Sequence, residues 1–235
     1  MLALSWLKGS STDISWPNES CGQMYGSNLM NVQGTGPSTV ADYYDKLAED
    51  YDDAVRAWGY YLPEAVTEAL MKHAGLQLPS EDVTLLDLGC GNGLCGQSLF
   101  RKGLKHIVGM DISAKSLEVA KNRNCYRQLT KADLLEPLPL EASTFDYLIC
   151  VGTTSYLESR VFDDWLRVVK VGGVICFTVK SSKCQDWDPA IEALEVEGRW
   201  KEMWSHPGIP YLPSINAGEG LGSEMVKIYV YRKIN

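Results

Sequence analysis

A glycine-rich turn directly after an apolar run is the first place in the sequence that could hold a ligand. Residues 85–93 read LLDLGCGNG, and glycines in such a turn let a ligand approach the backbone closely. The third glycine, Gly93, comes one residue too early for the pyrophosphate-binding spacing of dinucleotide proteins, and Asp87 adds a carboxylate beside the turn. This pattern favours a ligand with an ammonium or sulfonium group over one with a phosphate.

Carboxylates also follow the next two apolar runs. Asp111 ends the run after the glycine-rich turn, where an acidic side chain can accept hydrogen bonds from both hydroxyls of a ribose. Asp133 follows a third run, where its carboxylate could accept a hydrogen bond from an adenine amino group, with Ile112 and Leu134 on the two faces of the ring. Adenine, ribose and a cationic tail together describe S-adenosylmethionine.

The elements that must position these residues are short apolar runs that alternate with amphipathic stretches. The runs are continuous in apolar residues, which is typical of parallel strands buried on both faces. This alternation predicts right-handed βαβ units in an open, doubly wound sheet. Strands are predicted at 83–88, 106–110, 145–151 and 174–179, with a short one ending at 131, and the helices between them at 94–102, 114–124 and 160–171.

The amino-terminal part of the chain departs from this alternation. Residues 1–38 show neither helical nor strand periodicity, so we predict a flexible arm there, followed by one domain over residues 39–235. Apolar residues at three- and four-residue steps then predict a helix over residues 40–58, with Thr39 as its N-cap. A second helix is predicted over residues 63–74.

The carboxy-terminal part also breaks the rhythm. After a helix at 189–198, two strands are predicted at 199–204 and 225–231 without a helix between them, which favours an antiparallel hairpin. The Pro- and Gly-rich connection over residues 205–223 is long enough to suggest a functional role. The predicted fold class is therefore α/β, a Rossmann-like, doubly wound, mostly parallel seven-stranded sheet with a C-terminal antiparallel hairpin.

In their order along the chain these motifs resemble those of the class I S-adenosylmethionine-dependent methyltransferases. The resemblance covers roughly residues 43–234. Within that superfamily the chain looks like the methyltransferase-like proteins of the Williams-Beuren syndrome critical region, because of YDKLAEDYD at 44–52 and VYRK at 230–233. The superfamily motifs are DLGCGNG at 87–93, GMDIS at 109–113, ADL at 132–134 and FDYLICVG at 145–152.

The resemblance implies a set of cofactor contacts. The backbone of the glycine-rich turn would pack against the methionine part of the cofactor, with Asp87 near its amino group and Val151 behind it. Tyr51 would close over the cofactor. The complete set that the residues and the resemblance together predict is Tyr51, Asp87, Gly89, Cys90, Gly91, Asp111, Ile112, Asp133, Leu134 and Val151.

Residues for the methyl acceptor are less marked in the sequence. Aromatic faces exclude water and favour cations, so some of the aromatic residues could wall a substrate pocket or belong to the core. The segment CVGTTSY at 150–156 lacks the Asn/Asp-Pro-Pro-Tyr/Phe motif that holds a planar amino group, and it lacks a Pro-Cys nucleophile. We therefore expect neither adenine-N6, glutamine-N nor cytosine-C5 methylation, and we assign no catalytic base. Candidate acceptor contacts are Trp58, Tyr60, Thr153, Tyr156, Trp204 and His206.

Composition narrows the partners and the location. The formal net charge of −8 does not favour nucleic acid, and no apolar run approaches the roughly 20 residues of a membrane span. The seven cysteines contain no C-x-x-C pair, and the three histidines lack metal-ligand spacing. We expect no metal and a reducing intracellular location, in the cytoplasm or also the nucleus.

Three functions remain open at this level. The first is methyl transfer to a small molecule by a monomer, favoured by the acidic surface and the candidate aromatic pocket. The second is methyl transfer to a protein side chain, for which basic residues between positions 101 and 131 would serve as a docking patch. The third is a non-catalytic partner protein that binds S-adenosylmethionine. A nicotinamide-dependent oxidoreductase is disfavoured by Asp87 and the glycine spacing.

Overall fold

The structure is a computed structural model that describes residues 36–214 and 223–235. Residues 1–35 of the predicted arm lie outside this range. Residues 215–222 of the predicted connection also lie outside it. The helices are α1 (Pro37–Leu47), α2 (Tyr51–Ala57), α3 (Leu62–His73), α4 (Leu94–Arg101), α5 (Ala114–Asn122), α6 (Val161–Val168) and α7 (Cys184–Val196). The strands are β1 (Ser80–Leu88), β2 (Leu104–Asp111), β3 (Gln128–Lys131), β4 (Phe145–Cys150), β5 (Val169–Lys180), β6 (Trp200–Pro210) and β7 (Met225–Lys233).

The seven strands form one sheet in the order β3-β2-β1-β4-β5-β7-β6. The five strands from β3 to β5 are parallel, and β7 runs antiparallel to both β5 and β6. The chain changes direction across the sheet between β1 and β4, which is the place where open α/β sheets bind their ligands. The predicted fold class, including the terminal hairpin, is confirmed.

Helices cover both faces of the sheet, which explains why the central strands are continuously apolar. Along β5, Phe177 and Cys176 are fully buried but belong to different hydrophobic clusters, one on each face. Helices α6 and α7 contribute Phe162, Trp165 and Trp187 to one cluster, and α2, α3 and α4 cover the other face. Burial of each such large apolar side chain stabilises the fold by about 2 kcal/mol. None of the helices within the described ranges is long and apolar enough to cross a membrane.

The helix predicted over residues 40–58 is two helices. Helix α1 begins at Pro37 after Gly36, so Thr39 is not its N-cap. The break follows Leu47, whose carbonyl accepts a turn hydrogen bond from the Asp50 N–H, and the side-chain amide of Asn92 donates to the carbonyl of Ala48 (2.8 Å). The Ala48 carbonyl therefore accepts a tertiary hydrogen bond, whereas in a continuous helix it would accept one from a backbone N–H of the same helix.

Three boundaries in the second half of the chain also differ. Helix α6 ends at Val168, and the two glycines at 172–173 lie in an irregular part of β5 instead of closing the helix. Helix α7 begins at Cys184 because its first turns bury Cys184 and Trp187 in the core, which places Pro189 inside the helix. Strand β6 continues to Pro210, because pairing with β7 is resumed after a register shift between His206 and Ile209.

Candidate functional site

A cavity lies at the carboxyl ends of β1, β2 and β4, where the strand order changes direction. It encloses about 780 Å³, including its open mouth. Helices α1 and α2, residues 37–57, cover it and are called the roof below. Ten of the sequence-predicted residues line the cavity: Tyr51, Gly89, Gly91, Asp111, Ile112, Asp133, Leu134, Val151, Thr153 and Tyr156.

The glycine-rich turn forms the floor and is held by backbone hydrogen bonds. The N–H groups of Gly89 and Cys90 both donate to the carbonyl of Met110 at the end of β2 (2.8 and 3.0 Å). Gly89 has a φ of +69°, and a Cβ at this position would lie 2.2 Å from Oγ1 of Thr153. Only glycine can therefore let the turn pass between β2 and the segment after β4.

The Asp111 carboxylate is buried and fixed at the cavity. Its two oxygens accept hydrogen bonds from the Gly91 N–H (2.7 Å) and the Ser113 N–H (2.8 Å). Burial raises the pKa of Asp111, and these N–H donors oppose the shift. The carboxylate is thus oriented by two elements of the chain, the glycine-rich turn and the amino terminus of α5.

An apolar end of the cavity lies beyond Asp111. Ile112 is half-buried there, and Leu134 is buried on the segment after β3. Oδ1 of Asp133 accepts a hydrogen bond from the Leu135 N–H (3.0 Å), which fixes this carboxylate beside the two apolar side chains. A flat ring with an amino group on its edge would match this combination of surfaces.

Asp87 and Cys90 do not line the cavity, although both lie at its floor. Asp87 is 1% exposed and accepts a hydrogen bond from the hydroxyl of Tyr126 (2.7 Å). Burial raises the pKa of Asp87 to about 7, while the Tyr126 hydroxyl lowers it. Burial also raises the pKa of the Cys90 thiol, with a contribution from Asp87, so this cysteine lacks the thiolate that a nucleophile needs.

Asp45 and Asp52 attach the roof to the floor, in addition to the hydrogen bond between Asn92 and Ala48. Asp45 of α1 accepts hydrogen bonds from the Ser113 hydroxyl (2.6 Å) and the Lys115 N–H (3.1 Å) at the start of α5. Asp52 of α2 pairs with the guanidinium of Arg123, which also donates to the carbonyl of Asn92 in the glycine-rich turn. Asn92 and Arg123 were not predicted: Asn92 stands in the DLGCGNG motif but Arg123 stands in no motif, and the partners of both are distant along the chain.

Tyrosines line the cavity beneath the roof. The hydroxyls of Tyr44 and Tyr156 are hydrogen-bonded to each other (3.0 Å), and the rings of Tyr44 and Tyr51 meet edge to face at 6.3 Å. Burial raises the pKa of each of these three phenols, so they are neutral at physiological pH. Tyr44 was not predicted, although the repeated Tyr-Asp pair at 44–45 and 51–52 was a usable signal.

Four predicted acceptor contacts do not line the cavity. Trp58 is buried in the core, and Trp204 stacks on the imidazole of His73 with ring centroids 4.3 Å apart. Nδ1 of His206 on β6 accepts a hydrogen bond from the Gly208 N–H (3.1 Å). Tyr60 lies just behind the lining, since a Cβ on Gly152 would come within 3.0 Å of its hydroxyl. Within residues 36–214 and 223–235 no three His, Cys, Asp or Glu side chains come together as metal ligands.

The chain is similar to known methyltransferases in sequence. A family model described as a methyltransferase domain matches residues 86–177. Human methyltransferase-like protein 27 is 31% identical over 173 residues, which cover 70% of this chain and 69% of the relative. The residues that the family model matches include the glycine-rich turn, Asp111, Asp133 and the segment after β4.

Solved structures share the fold. Geranyl diphosphate C-methyltransferase from Streptomyces coelicolor, in complex with Mg²⁺, geranyl diphosphate and S-adenosyl-L-homocysteine, superposes with a TM-score of 0.59 at 17% identity, over 73% of this chain and 78% of that one. The [4+2]-cyclase SpnF superposes with a TM-score of 0.62 at 16% identity, over 84% and 97% of the two chains. Together with the sequence matches and the cavity, these likenesses establish that the chain belongs to the class I S-adenosylmethionine-dependent methyltransferases, in the family of methyltransferase-like protein 27.

Proposed function

We propose that the cavity binds S-adenosylmethionine and that the chain transfers its methyl group to a small-molecule acceptor beneath the roof. The observation that carries the proposal is the buried Asp111 carboxylate, which two backbone N–H groups orient at the cavity. A carboxylate in this position would accept hydrogen bonds from the two ribose hydroxyls.

The remaining lining fits the rest of the cofactor. The adenine would lie between Ile112 and Leu134 with its amino group toward Asp133, and the methionine part would lie over Gly89 and Gly91. Asp87 lies behind the turn, where a cationic ligand in the cavity would favour its ionised form. When bound, S-adenosylmethionine supplies a methyl group on a sulfonium, which is displaced in line by a nucleophile.

The chain's own residues would act by orientation and by exclusion of water. Tyr44, Tyr51 and Tyr156 place apolar rings and neutral hydroxyls around the acceptor end of the cavity. Holding two reactants in line in such an enclosed space can supply much of the rate enhancement for a bimolecular displacement. A base is needed only if the nucleophile arrives protonated.

A small molecule is favoured over a protein side chain because the roof covers the cavity. Pro37, Val40 and Tyr44 of α1 line it from above, and α1 is fixed to α5 through Asp45. An extended peptide would have to displace this helix, whereas a small molecule can be enclosed by it. Methyl transfer to protein and cofactor binding without transfer are the alternatives that the experiments below would reveal.

Calorimetric titration with S-adenosylhomocysteine tests the cofactor site. We expect micromolar binding by the native chain and no binding of NADH. Asp111→Ala should weaken the affinity about tenfold or more, because hydrogen bonds to a charged group are lost. The control is Asp163→Ala, which removes a carboxylate that is 74% exposed and paired with Arg199. Equal affinities of the two variants would refute this site.

Transfer from tritiated S-adenosylmethionine tests the class of acceptor. The native chain is incubated separately with the protein fraction and the deproteinised fraction of a cell extract. We expect label in the deproteinised fraction. Label in protein would support the side-chain alternative. Label in neither fraction, by a chain that still binds S-adenosylhomocysteine, would support a non-catalytic binding protein.

A further inference from the structure

The acceptor end of the cavity has hydroxyl donors that no group in the described part of the chain uses. Tyr44 and Tyr156 have two hydroxyl protons but share one hydrogen bond, so one proton is left for a ligand. The hydroxyl of Tyr51, which also lines the cavity, has no hydrogen-bond partner in the described part of the chain. A hydroxyl that lines a ligand cavity can donate to a bound acceptor atom in place of water.

A second pair of tyrosines, Tyr60 and Tyr211, lies next to the cavity without lining it. Tyr211 is 3% exposed, and its hydroxyl has no hydrogen-bond partner within residues 36–214 and 223–235. Its ring meets that of Tyr60 edge to face at 5.7 Å, and the Tyr60 hydroxyl lies against Gly152 in the cavity lining. Burial raises the pKa of Tyr211, with contributions from the nearby phenols of Tyr51 and Tyr156.

The positive charge on this side comes from Lys180 at the end of β5. Its ammonium lies 4.4 Å from the ring centroid of Tyr211, and it has neither an ion pair nor a hydrogen bond among the described residues. Burial lowers the pKa of Lys180, and Glu224 opposes the shift. The Glu224 carboxylate is itself engaged by the Ser181 hydroxyl (2.6 Å) and the Ser182 N–H (3.0 Å).

Charge is therefore separated along the cavity. The carboxylates of Asp111 and Asp133 lie at the end proposed for the ribose and adenine, whereas the tyrosine end has neutral hydroxyl donors backed by Lys180. Neutral hydroxyl donors favour a ligand that brings hydrogen-bond acceptors, and the Lys180 ammonium favours a ligand that also brings negative charge.

We propose that the methyl acceptor is a small carboxylate, whose charged end is held by the hydroxyls of Tyr51 and of the Tyr44–Tyr156 pair, with Lys180, which lies against the ring of Tyr211, supplying the compensating charge. This inference rests on the proposed function, because it concerns the acceptor of the same transfer. The inference says how the carboxylate of the acceptor is bound. It does not specify which atom of the acceptor is methylated.

Fractionation of the acceptor pool before the reaction tests the charge. A deproteinised extract is separated at neutral pH on an anion exchanger, and each fraction is incubated with the native chain and tritiated S-adenosylmethionine. We expect transfer in the retained fraction. Prior conversion of carboxylates to amides with a carbodiimide and methylamine should abolish it, whereas prior phosphatase treatment should not. Loss after phosphatase treatment alone would assign a phosphate instead.

Variants test the residues. Tyr51→Phe removes a hydroxyl that has no hydrogen-bond partner among residues 36–214 and 223–235, so the described fold should be unaffected. Tyr44→Phe with Tyr156→Phe is made as a double variant, because either single change frees the other hydroxyl proton, and Lys180→Met removes the charge. We expect each to raise the half-saturating amount of the retained fraction about tenfold, with the affinity for S-adenosylhomocysteine unchanged in the double variant and in Lys180→Met.

The matched control is Tyr147→Phe, whose hydroxyl lies 3.5 Å from the carbonyl of Ala74, away from the cavity. The inference would be overturned if transfer occurred only in the fraction that the exchanger does not retain. The proposed function would still stand in that case, provided that the chain binds S-adenosylhomocysteine. Half-saturation unchanged in all three test variants would also overturn it. Absence of transfer in both fractions would refute the proposed function and this inference together.

Discussion

Two glycines of the glycine-rich turn both adopt a left-handed backbone conformation but have different surroundings. Gly89 has a φ of +69°, and a Cβ there would lie 2.2 Å from Thr153 Oγ1 and 2.7 Å from its Cβ. Gly91 has a φ of +50°, and a Cβ there would meet no atom within 4 Å. The left-handed conformation is a shared requirement, whereas the close approach of Thr153 is a requirement at position 89 alone.

This difference predicts unequal effects of alanine. Gly91→Ala should destabilise the chain by about 1 kcal/mol, the usual cost of a left-handed alanine. Gly89→Ala should cost about 3 kcal/mol or more, because Thr153 must also move. Urea unfolding of the two variants measures the difference, and equal losses of unfolding free energy would show that Thr153 yields without cost.

At the scale of elements, the roof depends on contacts between distant parts of the chain. Asp52 on α2 and Arg123 after α5 form an ion pair with side chains 24% and 11% exposed, and Arg123 also donates to Gln97 (2.9 Å). A nearby pair on α2, Arg56 and Asp53, is 57% and 72% exposed. The buried pair joins the roof to the glycine-rich turn, while the exposed pair joins only residues of one helix.

Removal of the two arginines should therefore have different consequences. Arg123→Met leaves the half-buried Asp52 carboxylate with the Asn92 amide but without a positive charge beside it, and should cost about 2–3 kcal/mol. Arg56→Met, the control, should cost less than about 0.5 kcal/mol. Hydrogen exchange over residues 37–57 should become faster in the first variant and stay unchanged in the second. Equal exchange rates would mean that the roof is held by its apolar contacts instead.

At the scale of the whole molecule, Asp87 links global stability to pH. The folded-state pKa of about 7 lies above the ordinary value of 3.8, so the folded chain keeps the proton where the unfolded chain has lost it. The stability that this group contributes is complete below about pH 4 and is lost as the pH rises to about 7, at up to ~1.4 kcal/mol per pH unit. The loss stops above the folded pKa.

Asp87→Asn should remove this dependence, because the amide does not titrate. Between about pH 5 and about pH 7 the free energy of unfolding of the native chain should fall by about 2 kcal/mol more than that of the variant. Urea unfolding at several pH values measures both curves, and their difference cancels the other titrating groups. Parallel curves would place the pKa of Asp87 below this window.

The sequence by itself determined the sheet and the floor of the cavity. Strands buried on both faces must be continuously apolar, so the runs at 83–88, 106–110 and 145–151 were visible without tertiary information. Once those runs are parallel, their carboxyl ends share one edge, which brings Gly89 and Asp111 together regardless of detailed packing. The order of the motifs along the chain then predicted that the cofactor is S-adenosylmethionine.

The tertiary structure alone decided the roof and the extent of the last strands. Periodicity reports which face of a helix is buried but not which residue it meets, so the Tyr44–Tyr156 hydrogen bond, between residues 112 positions apart, had no local signal. The break between α1 and α2 depends on Asn92, and the continuation of β6 past His206 depends on pairing with β7. Such contacts depend on how distant elements pack against each other, and the energies of tertiary packing exceed the local conformational propensities of the residues.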